Sequence, residues 1–349
     1  MDAEILAEVI RGETIESIHR GHLIILDGDG EAVASLGNPE TVTFLRSAAK
    51  ALQAIPFITS GGAEYFSFTE QEIALACASH SGEKMHTTLA AQMLEKAGLS
   101  EKDLKCGAHL PFHEPTADAM IRAEEKPTQI HNNCSGKHAA MLAFAKHIGA
   151  DIETYEHLEN PIQQEILKII SHFTGVPAGE IKIGIDGCAA PNFAVSVKAM
   201  AKSFAKLINP PENFDEKLKC ACQSIVSAKM NYPKLVGGTD RLDTILMQAA
   251  KGKIISKIGA EGVWLCGVLP CEKWKTGLGI ALKIEDGDDK RARAAISVEV
   301  LRQLGILGAE DLQDYSPLPI KNRRGDTVGT VEPKFNLRIA TENTEIFEI

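Results

Sequence analysis

The chain has 349 residues and a formal net charge of −10 at pH 7, with 44% hydrophobic and 24% charged residues. This is the composition of an ordinary soluble globular protein of one large domain or two. The acidic balance excludes a general role on nucleic acid or an anionic membrane, both of which reward a basic surface.

No apolar run approaches the ~20 residues of a membrane span. The opening stretch MDAEILAEVIRGE lacks the basic-then-apolar pattern of a secretory signal. The eight cysteines are scattered rather than spaced as a framework, so they read as free thiols, metal ligands or core packing in a cytoplasmic protein.

In chain order, the first 36 residues turn like an antiparallel meander. Ile15, Ile18 and His19 precede LIIL at 23–26, and the Asp-Gly pairs at 27–30 mark a hairpin before AVASLG. Pro39, Glu40, Thr41 and Thr43 read as a helix start, which places Ser47 in the first turns. From there to about Ala250 the pattern is mainly helical. ALAAQMLEKAGL, HAAMLAFAKHIG, IQQEILKIISHFTG and FAVSVKAMAKSFAKL each repeat apolar residues at helical spacing.

Near Lys253 the texture becomes Gly-punctuated and β-like, with a helix at KRARAAISVEVLRQLGIL and a closing strand in VGTVEPKFNLRI. A short N-terminal hairpin cannot bury a face alone, so the C-terminal strands are its expected partners. The fold class expected is α/β in the α+β sense, an antiparallel sheet from both terminal segments with flanking helices and a large helical insertion. The domains expected are 1–38 with 251–349, and 39–250, with the active site between them.

Three Ser-x-x-Lys pairs occur: Ser47 with Lys50, Ser81 with Lys84, and Ser203 with Lys206. On a helix such pairs share a face, and a lysine of lowered pKa can take the serine proton. Ser203 and Lys206 read as a solvated helix face, and Ser81 falls at a Ser-Gly turn. Ser47, at a helix start, sits where backbone N–H groups and the helix dipole favour an acyl-transfer oxyanion, although small residues at 47–49 also suit close helix packing. Some serine acyl-transfer enzymes combine Ser-x-x-Lys with a later serine triplet and a Lys-Thr-Gly strand. Ser79-His80-Ser81 and Lys257-Ile258-Gly259 follow in the same order, without the Asn of the first triplet or the Thr of the second.

The stretch IHNNCSGKHAAM carries SGKH like the end of a phosphate loop. His131 stands in place of the first Gly and His138 in place of the Ser or Thr that would hold magnesium, which excludes nucleotide binding. It reads instead as a turn that aims side chains into a site, and GIDGCAAPNF is a second such turn. Cys134 and Cys188, with Lys137 and His138 nearby, are either zinc thiolates or buried small apolar groups. Spacing alone favours the second, since no Cys-x-x-Cys pair is present. Cys220 and Cys222 are too close for an ordinary disulfide, and Cys266 and Cys271 look like strand packing.

Taken together, RSAAKALQ, ASHSGE, CGAHLP, HNNCSGKHAAML and IDGCAAPNFA resemble the thermolabile, Rhizobium-type L-asparaginase family, from about residue 40 to about residue 265. The resemblance implies a serine β-lactamase/glutaminase-like fold and a homodimer. It implies Ser47 as nucleophile, Lys50 as its base, Ser79 as the second serine of a proton relay and Lys257 as a further cationic member. It implies zinc as cofactor, held by Cys134, Lys137 and Cys188 and assisting substrate binding. Arg46, Asn133, His138 and Asp186 are the candidates for gripping the amino acid.

The expected activity is hydrolysis of L-asparagine to L-aspartate and ammonia by a Ser–Lys acyl-enzyme route, on a small-molecule substrate, with no nucleic-acid or membrane partner. The alternatives are a related serine amidase acting on glutamine or a β-lactam, and a non-catalytic asparagine-binding sensor.

Overall fold

The computed structural model describes residues 2–340. Eleven strands occur among them: β1 (Glu4–Arg11), β2 (Thr14–Asp27), β3 (Ala32–Leu36), β4 (Val42–Phe44), β5 (Lys182–Ile185), β6 (Pro191–Ser196), β7 (Ile254–Gly259), β8 (Val263–Val268), β9 (Leu278–Ile284), β10 (Leu318–Lys321) and β11 (Thr327–Pro333). The chain divides into two compact units. The first holds the described residues up to Thr43, Ser196–Asn209 and those from Ala249 on; the second holds Phe44–Val195 and Pro210–Gln248.

The first unit is built on an antiparallel sheet in the order β10-β11-β1-β2-β9-β8-β7, with β3 paired to β2. Both chain ends contribute, as the alternation at both ends requires. β1 pairs with β11 (Ala7 opposite Pro333), and β2 pairs with β9 from Gly21 opposite Ile284 to Asp27 opposite Leu278. β7 and β8 are buried at every position, which requires cover on both faces. Trp264 is fully buried on β8, and its Nε1–H donates to Ser256 Oγ on β7 at 2.9 Å.

The sequence pattern groups FAVSVKAMAKSFAKL with the helical stretch. Here Phe193 lies on β6 and the helix begins only at Val197. The helix Val197–Ile208 packs on the sheet of the first unit. Gly267 and Gly279 stand opposite each other on β8 and β9, and a Cβ at either would collide with it, at Ile208 or at Ala201 and Ala205. Ser203 is correspondingly buried, its hydroxyl donating to Met200 O at 2.7 Å, rather than on a solvated face. Cys266 is buried on β8 as expected, but Cys271 is exposed beyond the strand's end. The last part of the expected sheet domain, 341–349, lies outside the described residues.

In the second unit, Ala48 to Phe57 and Ser135 to Ala145 are buried without a break. A helix buried all round belongs to the centre of its unit. The helices Lys50–Thr59 and Ser135–Ile148 are therefore central, which is why their lysines, Lys50 and Lys137, are almost wholly removed from solvent. Gly136 permits the approach of the second helix to Leu75, whose side chain and carbonyl a Cβ there would meet.

The helix start expected at Pro39 is not where the helix begins. Val42–Phe44 is a strand, residues Arg46–Ala49 form a 3-10 turn, and the α-helix starts at Lys50. The cause is a contact distant in sequence: Leu45 N donates to Phe193 O on β6, and Arg46 takes a left-handed φ of 50° that breaks the run.

Candidate active site

Ten of the eleven candidate residues lie in the second unit: Arg46, Ser47, Lys50, Ser79, Asn133, Cys134, Lys137, His138 and Asp186 with Cys188. Lys257 belongs to the first, buried on β7, with its Nζ donating to Ile258 O at 3.0 Å.

Ser47 is half-buried in the 3-10 turn, immediately after the left-handed Arg46. An αL backbone costs a non-glycine residue of order 1–3 kcal/mol and persists only where its surroundings over-determine it. Here the Arg46 N–H donates to Asn192 Oδ1 at 3.1 Å, and its Nε donates to Asp186 Oδ1 at 3.0 Å. Asn192 was not singled out from the sequence. Its signal was its place in the APNF end of the second Gly-rich turn.

Lys50 Nζ donates to Ala78 O at 2.6 Å, Ser79 Oγ at 2.7 Å and Cys134 Sγ at 3.1 Å. Among the described residues these are its hydrogen-bond partners, so the amine lies on Ser79 rather than on Ser47. Ser79 is buried and held by its backbone, whose N–H donates to Val236 O at 3.0 Å.

Cys134 caps the helix Ser135–Ile148. Asn132 Oδ1 accepts from the Cys134 N–H at 2.8 Å while its Nδ2 donates to Cys106 O, an Asx turn that fixes the approach to the helix. Asn133, half-buried, donates its N–H to His109 Nε2 at 3.0 Å. His109 Nδ1–H in turn donates to Leu110 O at 2.6 Å, so the motif CGAHLP supplies a brace for the NNC turn.

Cys188 stands on the turn after β5. The Asp186 N–H donates to Ala190 O, the Gly187 N–H to Asp186 Oδ1, and Ala189 is left-handed at φ 69°. Lys137 Nζ donates to Cys188 Sγ at 3.0 Å.

The two thiols titrate as a unit. A hydrogen bond from Cys134, with Lys137 and His138 beside it, overcomes burial and holds Cys188 below the usual thiol range. The same contact with Cys188, together with burial, pushes Cys134 well above it. Burial opposes the charge of Lys137, but Cys188 and Cys134 outweigh it and hold the amine above its ordinary range.

His138 is fully buried beside this thiol cluster. Its Nδ1 pairs with Tyr155 OH at 2.6 Å, and that hydroxyl accepts from the Lys105 N–H at 2.9 Å. The ring also lies against the Cys188 thiol, which faces it from the second Gly-rich turn.

Among the described residues no trio of His, Cys, Asp or Glu side chains is arranged to hold a metal. The expected set is of another kind, two sulfurs and a lysine nitrogen. It fits zinc chemically: two soft thiols lie in contact, a nitrogen donor lies 3.0 Å from one of them, and an imidazole lies against the same thiol.

His80 and His86 stack at 4.8 Å with planes 13° apart, and burial holds both below the ordinary imidazole range. Their folded pKa values are depressed, so the stability they contribute is present in full above the unfolded value of about 6.5 and is lost as the pH falls from there toward the folded values. Each contributes up to about 1.4 kcal/mol per pH unit to that loss. Urea midpoints at pH 7.5, 6 and 5 should fall less steeply for His86→Gln than for the wild type. Equal slopes would remove His86 from the acid response.

Comparison with known proteins places the chain among amide-hydrolysing enzymes. The family model described as L-asparaginase II matches residues 7–333, and the chain belongs to the L-asparaginase II family. Similar solved structures include a probable glutaminase from Bacillus subtilis complexed with 6-diazo-5-oxo-L-norleucine, at 13% identity over 82% of this chain and 85% of that one, with TM-score 0.41. A β-lactamase from Mycobacterium bovis gives 12% identity, 81% and 94% coverage and TM-score 0.42. Mglu in its native form gives 13%, 86%, 68% and 0.43. No curated protein matches the chain.

Proposed function

We propose that this enzyme hydrolyses L-asparagine to L-aspartate and ammonia through an acyl-enzyme on Ser47. The observation that carries the reading is the buried Lys50 amine, 2.7 Å from Ser79 Oγ and directly after the turn that presents Ser47.

Ser47 Oγ bonds to the carboxamide carbon while its proton passes to Lys50, which must be neutral to receive it. Backbone N–H groups of the Ser47 turn hold the developing oxyanion. The C–N bond breaks as the proton moves from Lys50 by way of Ser79 to the leaving nitrogen, which departs as ammonia. Water then attacks the aspartyl ester, gives its proton back through the same groups, and releases L-aspartate and Ser47. The part expected of Lys257 rests on the resemblance alone.

Arg46 and Asp186 present opposite charges 3.0 Å apart at partly exposed positions. An amino acid would exchange that ion pair for two of its own, its α-carboxylate on the guanidinium and its α-ammonium on the carboxylate. Cys134, Lys137 and Cys188 would hold zinc, whose positive charge would assist substrate binding. The family resemblance also implies a homodimer, and the scattered cysteines fit a cytoplasmic location.

Ammonia release from asparagine and glutamine, with acid release from a penicillin, tests the reading with and without added zinc. Asparagine should be the preferred substrate. Glutamine turnover without asparagine turnover would move the assignment to a glutaminase, and thermal stabilisation by asparagine without turnover would make the protein a binder.

A further inference from the structure

We propose that His80 is a positioning residue for the reaction: it ties the segment bearing Ser79 to the turn bearing Cys134, and so sets the two side chains that accept from Lys50. The inference rests on the reading of Ser47, Lys50 and Ser79 given above.

His80 is fully buried between two serines, and its tautomer is fixed from both sides. The Gly82 N–H donates to Nδ1 at 3.1 Å, so the ring proton is on Nε2, which donates to Ser135 Oγ at 2.9 Å. The Ser135 hydroxyl passes the chain on to Ile130 O at 2.9 Å. The main chain makes the same connection, His80 N–H to Asn133 O at 3.1 Å.

Residues 79–82 and 130–135 are thus joined at two points, one backbone and one side chain. Ser79 Oγ and Cys134 Sγ, the residues next to those points, are both acceptors of the same Lys50 amine. Only the imidazole spans the gap with an acceptor on one side and a donor on the other. Removing it frees the Ser79 segment to shift relative to Lys50, and a displacement of about 1 Å at reacting groups costs on the order of 10²-fold in rate.

The test compares His80→Ala, His80→Gln and Ser135→Ala with the wild type in steady-state asparagine hydrolysis, per folded molecule. Glutamine can present an N–H near the Nε2 position, whereas alanine cannot. His80→Ala and Ser135→Ala should each lower kcat about 10²-fold with KM within about twofold, because Ser79 handles a proton and does not bind substrate. The double variant should lose no more than either single one, and His80→Gln should recover most of the loss.

A purely structural role would lower the melting temperature and leave kcat per folded molecule unchanged. That result, or a His80→Gln variant as slow as His80→Ala, overturns the proposal. Should His80→Ala fail to fold, Ser135→Ala and His80→Gln decide it alone. An inactive wild type, or a Ser47→Ala variant with full activity, would instead strike the underlying reading.

Discussion

Ser47→Ala is expected to release no measurable ammonia from asparagine while melting within a degree or two of the wild type. The two halves of this expectation have different causes. Loss of a serine nucleophile costs on the order of 10⁶ in kcat when the nucleophile and its base act as a unit. The fold should not notice, because Ser47 is half-buried in a single 3-10 turn and, among the described residues, no hydrogen-bond partner depends on its hydroxyl. Lys50→Ala should be as inactive but much less stable, since it removes the partner of Ala78 O, Ser79 Oγ and Cys134 Sγ in a closed interior. The double variant should be no slower than either single one. Near-full activity in Ser47→Ala would remove the nucleophile assignment.

Cys188→Ser should abolish tight metal binding while leaving the serine–lysine relay in working order. Its hydroxyl can still accept from Lys137, so that buried amine keeps a partner and the fold survives. An alcohol is a far weaker zinc ligand than a thiolate, and affinity should fall by more than the roughly 10–100-fold typical of losing an outer-shell partner. Metal analysis of protein purified without added zinc reads the outcome directly. KM for asparagine should rise, with a smaller change in kcat, because the proposed relay runs through Lys50 and Ser79. Metal content equal to the wild type would dissolve the site.

Much of this was legible in the chain because the signals were local. The helix ends at Gly149 and Gly175 follow from glycine's ease in the left-handed region that both occupy, and the alternation at both termini required a shared sheet. The residues around Cys134 and Cys188 were long enough as motifs to name a family. What failed was the start of the Ser47 segment, where Pro39 and the threonines imitate a helix cap. A bond from Leu45 to Phe193, almost 150 residues away, and another from Arg46 to Asn192 decide the backbone there. No local pattern carries such contacts.

The same limit hid His80, His109 and Tyr155, each of which acts on a loop distant in sequence. It also hid the partners of His138, whose ring faces a thiol and a buried phenol. Four-residue β10 was missed as well, being short and interrupted by Pro319.

The sheet shared by the two chain ends has a consequence for the order in which the molecule is made. β1 and β2 are made well before β9 and β11, yet Gly21 pairs with Ile284 and Ala7 with Pro333. Until then the edges that β9 and β11 cover stand open, and closing so long a loop makes the full sheet late and slow to form. The second unit, most of whose chain is complete by Val195, can gather around its two central helices during that wait. The nascent β1 and β2 are therefore exposed to aggregation during that wait, and are segments a chaperone would be expected to hold.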